Sequence, residues 1–496
     1  MNVAHFLEAS ARHLPGRPAL VFGDRAWTYA ELDREAGGLA AGLARLGLRP
    51  GQRACLHLGN RPEFVLAYYA CQKLGVTPVA LNVTYKREEL AYIVRDSEAA
   101  AIVSGGAAAA ELPAPGDTPS VRVRVGTADP GAVPFEAVAA DPPLRADDLD
   151  REDVAAILYT SATTGRPKGV LLTHANVVSN TFAVVHHLRM TPDDRGLCAL
   201  PLFHCFGQNF IMNALVAGGG TLILQERFVP ADFLGAIARH RVTVLYAVPT
   251  MYIVLLGLLQ GAEPGAADLS SLRLAFSAAA MLPADVESRW QAATGLPVSQ
   301  GYGLTECSPF ATYNHERAHR PGSVGTPIEN VEVRVVDEHD RPVPDGTLGE
   351  LVIRGPNVMK GYLGKPEETA ETLRGGWLHS GDIGSRDADG YFHVVDRVKD
   401  MVNVAGFKVF PREVEELLFA HPAVAEAAVL GAPDPVKGEV VRACVVLRPG
   451  RTATAEELVE LCRARIAAYK VPVVVEFLQS LPKSPTGKIL KKELRA

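Results

Sequence analysis

Short apolar runs alternate with helix-like stretches through the first half of this chain, and no other feature narrows the fold as much. ACLHL at 54–58, AAILYT at 155–160, TLILQ at 221–225 and VTVLYAV at 242–248 are each long enough for a buried strand and too short for an ordinary helix. Strands separated by helices in this way make βαβ units, so the expected body is layered α/β around largely parallel sheets. One helix is marked at both ends: Thr28 and Glu31 form a capping-box pattern, Leu32, Ala36, Leu39, Leu43 and Leu46 follow at spacings of four and three, and Gly47 closes it. The most apolar run, 242–259, approaches membrane-spanning length, but Pro249 and Thr250 divide it into a strand half and a helix half, which predicts buried core.

A chain of 496 residues exceeds what one hydrophobic core serves. Between 105 and 150 it is rich in Ala, Pro, Gly and Asp with little periodicity, which predicts solvent-facing connections. After Val324, period-two stretches such as VEVRVVDE and ELVIRG predict an antiparallel barrel or sheet. The charged turn DRVKD at 396–400 then precedes a compact segment with its own strand and helix signals. The expected architecture is α/β multidomain: residues 1–395 form a large N-terminal domain of layered α/β subdomains plus a small β-barrel-like part. Residues 396–400 form a hinge, and residues 401–496 a small mobile α+β C-terminal lid domain.

A net charge of −6 lacks the basic footprint that nucleic-acid binding needs, and does not exclude an anionic small molecule. The segment from Arg397 onward is net basic and could meet phosphates. Seven scattered cysteines, with no C-x-x-C pair and no secretory leader, predict reduced thiols in the cytoplasm. No integral membrane segment is expected; peripheral contact to collect an oily substrate is left open.

The first chemical signal is YTSATTGRPKG at 159–169, which follows the apolar strand VAAIL and precedes the apolar VLLTHANVV. Thr160, Ser161, Thr163, Thr164 and Gly165 offer hydroxyls and backbone N–H groups at a strand end, where a polyphosphate can be cradled, and Lys168 adds charge. It is not a Walker A loop, because the G-x-x-x-x-G-K-[ST] spacing is absent. Further on, GYGLTE carries Gly301 and Gly303, which let the backbone approach a ligand. It also carries Tyr302, a flat face for a purine, and Thr305 and Glu306, a hydroxyl and a carboxylate suited to phosphate and Mg²⁺. Asp382 in HSGDIG is an acceptor suited to two ribose hydroxyls, and Arg397 can donate to the same sugar or its phosphate.

Six further blocks stand in order along the chain: LPLFHCFG at 200–207, SAAAMLP at 277–283, QGYGLTECSP at 300–309, GWLHSGDIG at 376–384, DRVKDMVNVAGFKVFPREVEE at 396–416 and LPKSPTGKILKKELR at 481–495. With the phosphate loop they resemble the adenylate-forming superfamily of acyl-CoA synthetases, aryl-CoA ligases, luciferases and peptide-synthetase adenylation domains. The resemblance implies ATP, Mg²⁺ and coenzyme A as cofactors. It implies that Tyr302, with Ala279 and Ala280, takes adenine, that Thr305 takes the α-phosphate, that Glu306 holds Mg²⁺, and that Asp382 and Arg397 hold ATP. Lys488, at the family's C-terminal lysine position, is implied to reach the α-phosphate and the attacking carboxylate. Lys399 stands at the family's pivot, and Gly406 and Phe407 are implied to face the pantetheine tunnel after the small domain swings.

Two departures stand out. Ala162 replaces the usual first Gly of the phosphate loop, and Ala278 and Met281 replace a Gly and a Pro in the adenine wall. The block around Phe203 continues with His204, Cys205 and Phe206, and shows no acidic partner for a substrate ammonium. Its wording is most similar to fatty acyl-CoA synthetases, so a medium- or long-chain fatty acid is the first expectation and an aryl acid such as a cinnamate the second. A carrier-protein phosphopantetheine is the alternative acceptor, and a non-catalytic nucleotide-binding protein the rival from another class. His204 lines the acyl entrance or is a buried structural histidine; the sequence leaves both open.

Overall fold

The computed structural model describes residues 1–113, 115–126, 131–160, 166–261, 268–397, 400–405, 407–485 and 487–495. Among them one sheet of nine strands and one of eight form the body. In the first, Arg195–Cys198, Thr221–Leu224, Val244–Ala247, Leu274–Ser277 and Val298–Tyr302 run parallel to one another. In the second, Ala101–Gly105, Arg53–His57, Thr77–Ala80 and Val154–Thr160 are parallel, Lys168–Thr173 returns antiparallel, and Gly361–Tyr362 closes that edge. The apolar runs read from the sequence are these strands.

Helix Tyr29–Arg45 begins at the expected capping box, with Thr28 N–H donating to Glu31 Oε2 at 2.8 Å and Glu31 N–H to Thr28 Oγ1 at 3.2 Å. Its Leu32, Ala36, Leu39 and Leu43 are buried. The run at 242–259 divides as expected into strand Val244–Ala247 and helix Pro249–Gly261. Among the described residues no helix is long and apolar enough to cross a membrane. The 105–150 stretch departs from expectation: Val121–Val125 adds a parallel strand beside Ala101–Gly105, and Val123, Val125, Phe135 and Val138 are buried. The run VRVRV alternates arginine with valine, and near a sheet margin only one face needs to be apolar.

Glu332–Val336, Gly349–Arg354, Leu378–Arg386 and Phe392–Arg397 form a four-stranded antiparallel sheet, as the period-two pattern predicts. A separate sheet begins at Val402–Val404 and includes Val424–Asp434, Gly438–Leu447 and Val474–Phe477. Helices Pro411–Phe419 and Ala455–Arg463 pack on it around Val402, Val414, Leu418, Val445 and Leu458. The large N-terminal and small C-terminal domains are thus mixed α/β assemblies with cores of their own.

Two of the buried histidines in the body's framework titrate far below the usual range. Burial pushes His57 and His174 each down to about 4. Both rings are therefore neutral in the folded protein at neutral pH, His174 accepting at Nδ1 from Val3 N–H at 3.1 Å. An unfolded histidine titrates near 6.5, so between that pH and about 4 the unfolded chain binds protons that the folded one refuses, and stability falls as pH falls. At pH 5 the loss is about 2 kcal/mol for each ring. The thermal unfolding midpoint is expected to drop between pH 7 and pH 5; a flat profile would contradict the neutral, buried state.

Candidate active site

Three neighbouring parallel strands end at one cleft, the place where open α/β sheets take their ligands. Val244–Ala247 leads to Pro249 and Thr250, Leu274–Ser277 to Ala279 and Ala280, and Val298–Tyr302 supplies Gly301 and Tyr302. Asp382 and Arg397 reach the cleft from the four-stranded sheet, where they face each other across an antiparallel pair. Lys488 reaches it from the C-terminal domain.

The carboxylate of Asp382 belongs to a residue only 4% exposed and is already engaged: Arg397 Nε stands 2.9 Å from Oδ1, and the Tyr302 hydroxyl donates to Oδ2 at 2.8 Å. A tyrosine, an aspartate and an arginine far apart in sequence therefore make one hydrogen-bonded unit on the cleft wall. Lys488 sits on a tight loop in which Ser484 N–H donates to Lys488 O at 2.8 Å and Lys488 N–H to Ser484 Oγ at 3.1 Å. Gly487 has φ +78°, and a Cβ there would lie 2.8 Å from Thr250 Oγ1 and 2.9 Å from Val248 Cγ2. The loop tip is thus pressed against the body. Burial, followed by the Lys488 charge, pushes the His204 imidazole down to about 4.

Glu306 lies in the short turn Thr305–Cys307, its backbone oxygen accepting from Met359 N–H at 2.8 Å and its Oε1 from the Tyr362 hydroxyl at 3.0 Å. Burial raises its carboxyl above the usual range, opposed by the Tyr362 hydrogen bond and the nearby Arg397. Asn357 Nδ2 donates to Cys307 O at 3.2 Å and Phe310 O at 2.8 Å, so buried amide groups hold the turn that follows Glu306. Thr160 and Lys168 pair across the ladder at the two ends of the segment expected to cradle phosphates. Lys168 forms an ion pair with Glu368 and stands 5.2 Å from the centre of the Tyr362 ring.

Several expectations need correction or placement. Gly301 and Gly303 both line the cleft, and internal packing already requires glycine at each: a Cβ at Gly301 would lie 2.6 Å from Phe276 Cζ, and one at Gly303 only 1.8 Å from Pro309 O. Ala278 does not have a positive φ, so the loss of Gly there is harmless to the backbone; it is Ala279 that adopts φ +69°. Lys491, within the net-basic segment that begins at Arg397, is 17% exposed and pairs with Glu415 at 2.8 Å, lining the cleft beside Lys488. Phe407 is 58% exposed, stacked on Tyr469 with ring centres 4.8 Å apart, and does not line this cleft. Ser161, Ala162, Thr163, Thr164, Gly165, Lys399 and Gly406 lie outside the described residues. Sequence reasoning misses Tyr362 and Glu368, since their contacts with Glu306 and Lys168 cross long stretches of chain.

Residues 7–363 match the family model described as AMP-binding enzyme, and residues 413–488 the model described as AMP-binding enzyme C-terminal domain. A feruloyl-CoA synthase from Amycolatopsis sp is 42% identical over 98% of this chain and 96% of its own length. A long-chain-fatty-acid–CoA ligase from Bacillus subtilis is 35% identical over 98% and 93%. Among solved structures, the anthranilate CoA ligase AuaEII in complex with anthranoyl-AMP superposes with a TM-score of 0.92 at 32% identity, covering 100% of this chain and 96% of that one. The chain belongs to the AMP-binding enzyme family, within the adenylate-forming superfamily. It is an AMP-forming acid–thiol ligase that makes acyl- or aryl-CoA.

Proposed function

We propose that this ligase activates a compact aromatic acid of the cinnamate type: ATP and the acid give an aryl-adenylate and pyrophosphate, and coenzyme A then gives the aryl-CoA thioester and AMP. The observation that carries the reaction is the entry of Lys488, from near the end of the chain, into the cleft walled by Ala279, Tyr302 and Asp382. For the substrate, identity with the feruloyl-CoA synthase exceeds that with the fatty-acid ligase, 42% against 35%, which favours the aryl reading over the fatty acid expected first.

In this reading Ala279, Ala280 and Tyr302 take the adenine, with Gly301 and Gly303 shaping the backbone beneath it. Asp382 and Arg397 exchange part of their mutual bonding for the ribose. Thr160, Ser161, Thr163, Thr164, Gly165 and Lys168 cradle the outer phosphates, and Thr305 the α-phosphate. Lys488 bridges the α-phosphate and the substrate carboxylate, where charge gathers as the carboxylate attacks. Among the described residues no group of three or more His, Cys, Asp or Glu could hold a metal ion. The single carboxylate of Glu306 fits Mg²⁺, which takes few protein oxygens and completes its shell from phosphates and water. When bound, that ion neutralises phosphate charge and favours departure of pyrophosphate.

For the second step the C-terminal domain turns about Lys399, withdrawing Lys488 and bringing Gly406 and Phe407 to the cleft for the pantetheine arm. The exposed Phe407 is consistent with a role reserved for that second arrangement. A carrier-protein acceptor has no comparable support. CoA-thioester formation scored by mass spectrometry across ferulate, 4-coumarate, benzoate and fatty acids of increasing length tests the reading. Cinnamates are expected to exceed long-chain acids by at least about tenfold in kcat/KM, a transition-state difference of about 1.4 kcal/mol. Preference for a long-chain acid would overturn the substrate assignment, and release of pyrophosphate without thioester would overturn coenzyme A as acceptor.

A further inference from the structure

Tyr362 joins two charged groups that the functional reading gives separate tasks. Its hydroxyl donates to Glu306 Oε1 at 3.0 Å, and the Lys168 ammonium stands 5.2 Å from its ring centre, within cation–π range. The backbone around it is fixed from two sides. Gly361–Tyr362 pairs antiparallel with Lys168–Thr173, Tyr362 opposite Val170, and Leu363 N–H donates to Gly169 O at 2.8 Å. On the other side Tyr362 N–H donates to Thr369 Oγ1 at 2.9 Å, and a Cβ on Gly361, at φ +150°, would lie 2.7 Å from Thr369 Cγ2. Helix Pro366–Thr372 is thereby held against the strand, and it carries Glu368, the ion-pair partner of Lys168.

We propose that Tyr362 is a positioning residue of the triphosphate site. One side chain fixes the direction of the Glu306 carboxylate through its hydroxyl and supports the phosphate-loop lysine on its ring. The cation and the carboxylate are then spaced for a metal-bound triphosphate before it arrives, which spares the reorganisation that would otherwise weaken binding. Engagement of one carboxylate oxygen leaves the other with a set direction, as a ligand to a hard cation requires. The proposal rests on the reading of Glu306 as metal-facing and Lys168 as phosphate-facing.

The two functions of the side chain can be separated, because Tyr362→Phe keeps the ring and removes only the hydroxyl, whereas Tyr362→Leu removes both. Mn²⁺ uptake in the presence of ATP and absence of acid, followed by water-proton relaxation, reads the metal site without turnover; ATP binding without metal, followed by calorimetry, reads the lysine side. Tyr362→Phe is expected to weaken Mn²⁺ uptake about tenfold, with metal-free ATP binding and the KM for the acid unchanged. Tyr362→Leu is expected to weaken both Mn²⁺ uptake and metal-free ATP binding. Parental Mn²⁺ affinity in Tyr362→Phe would overturn the role of Tyr362 alone, as would equal weakening of every ligand in both variants. Failure of the parent protein to take up Mn²⁺ with ATP would overturn the reading of Glu306 and this proposal together.

Discussion

Replacement of Lys488 by alanine is expected to lower acid-dependent adenylate formation about 10³-fold, while thioester formation from a supplied aryl-adenylate and coenzyme A stays within about threefold of the parent. The asymmetry follows from where the side chain stands. Lys488 is carried by the C-terminal domain into a cleft formed between that domain and the body, so its charge acts on the body's Tyr302 and Asp382 side only while that domain is docked in this arrangement. Arg397 does not take over, since in the proposed reading its guanidinium is shared between Asp382, 2.9 Å away, and the ribose. Pyrophosphate exchange measures the first half-reaction, and mixing with synthetic aryl-adenylate measures the second. Equal loss in both would mean that Lys488 supports the fold rather than the first chemical step.

The body was legible because burial on both faces forces strands into apolar runs, and ACLHL, AAILYT, TLILQ and VTVLYAV all fall on strands of the two large sheets. The capping box at Thr28 was legible because the interaction is local, three residues apart. Val121–Val125 was not: its arginine–valine alternation is a period-two signal, but it spans only five residues inside a stretch rich in Ala, Pro, Gly and Asp. The convergence of Tyr302, Asp382, Arg397 and Lys488 came from ordered motifs resembling a family, not from spacing, since they come from two sheets of the body and from the C-terminal domain. What the motifs hid is why certain residues are there. Gly303 reads as room for a ligand, and the fold adds a second demand, since Pro309 O fills the space a Cβ would need; Lys491 carries no signal of its own in the sequence, and it is paired with Glu415 inside the cleft. Both facts depend on neighbours that only the folded chain supplies.

Gly487→Val is expected to reproduce much of the lysine defect without touching the lysine: adenylate formation falls about 10²-fold, and the second half-reaction is largely kept. Two causes act at one position. A β-branched residue at φ +78° is strained by about 1–2 kcal/mol or more. Its Cβ would also lie 2.8 Å from Thr250 Oγ1 and 2.9 Å from Val248 Cγ2, short and stiff side chains at the start of helix Pro249–Gly261 that have little freedom to yield. The backbone strain acts in either position of the small domain, whereas the collision exists only when the loop is docked, so the variant favours withdrawal. Removing Thr250 Oγ1 separates the two: Thr250→Ala added to Gly487→Val should recover part of the first half-reaction and leave the strain. If the double variant is no better than the single one, collision with the body is not what displaces Lys488, and the docked loop is held by something other than the fit of a glycine against Thr250.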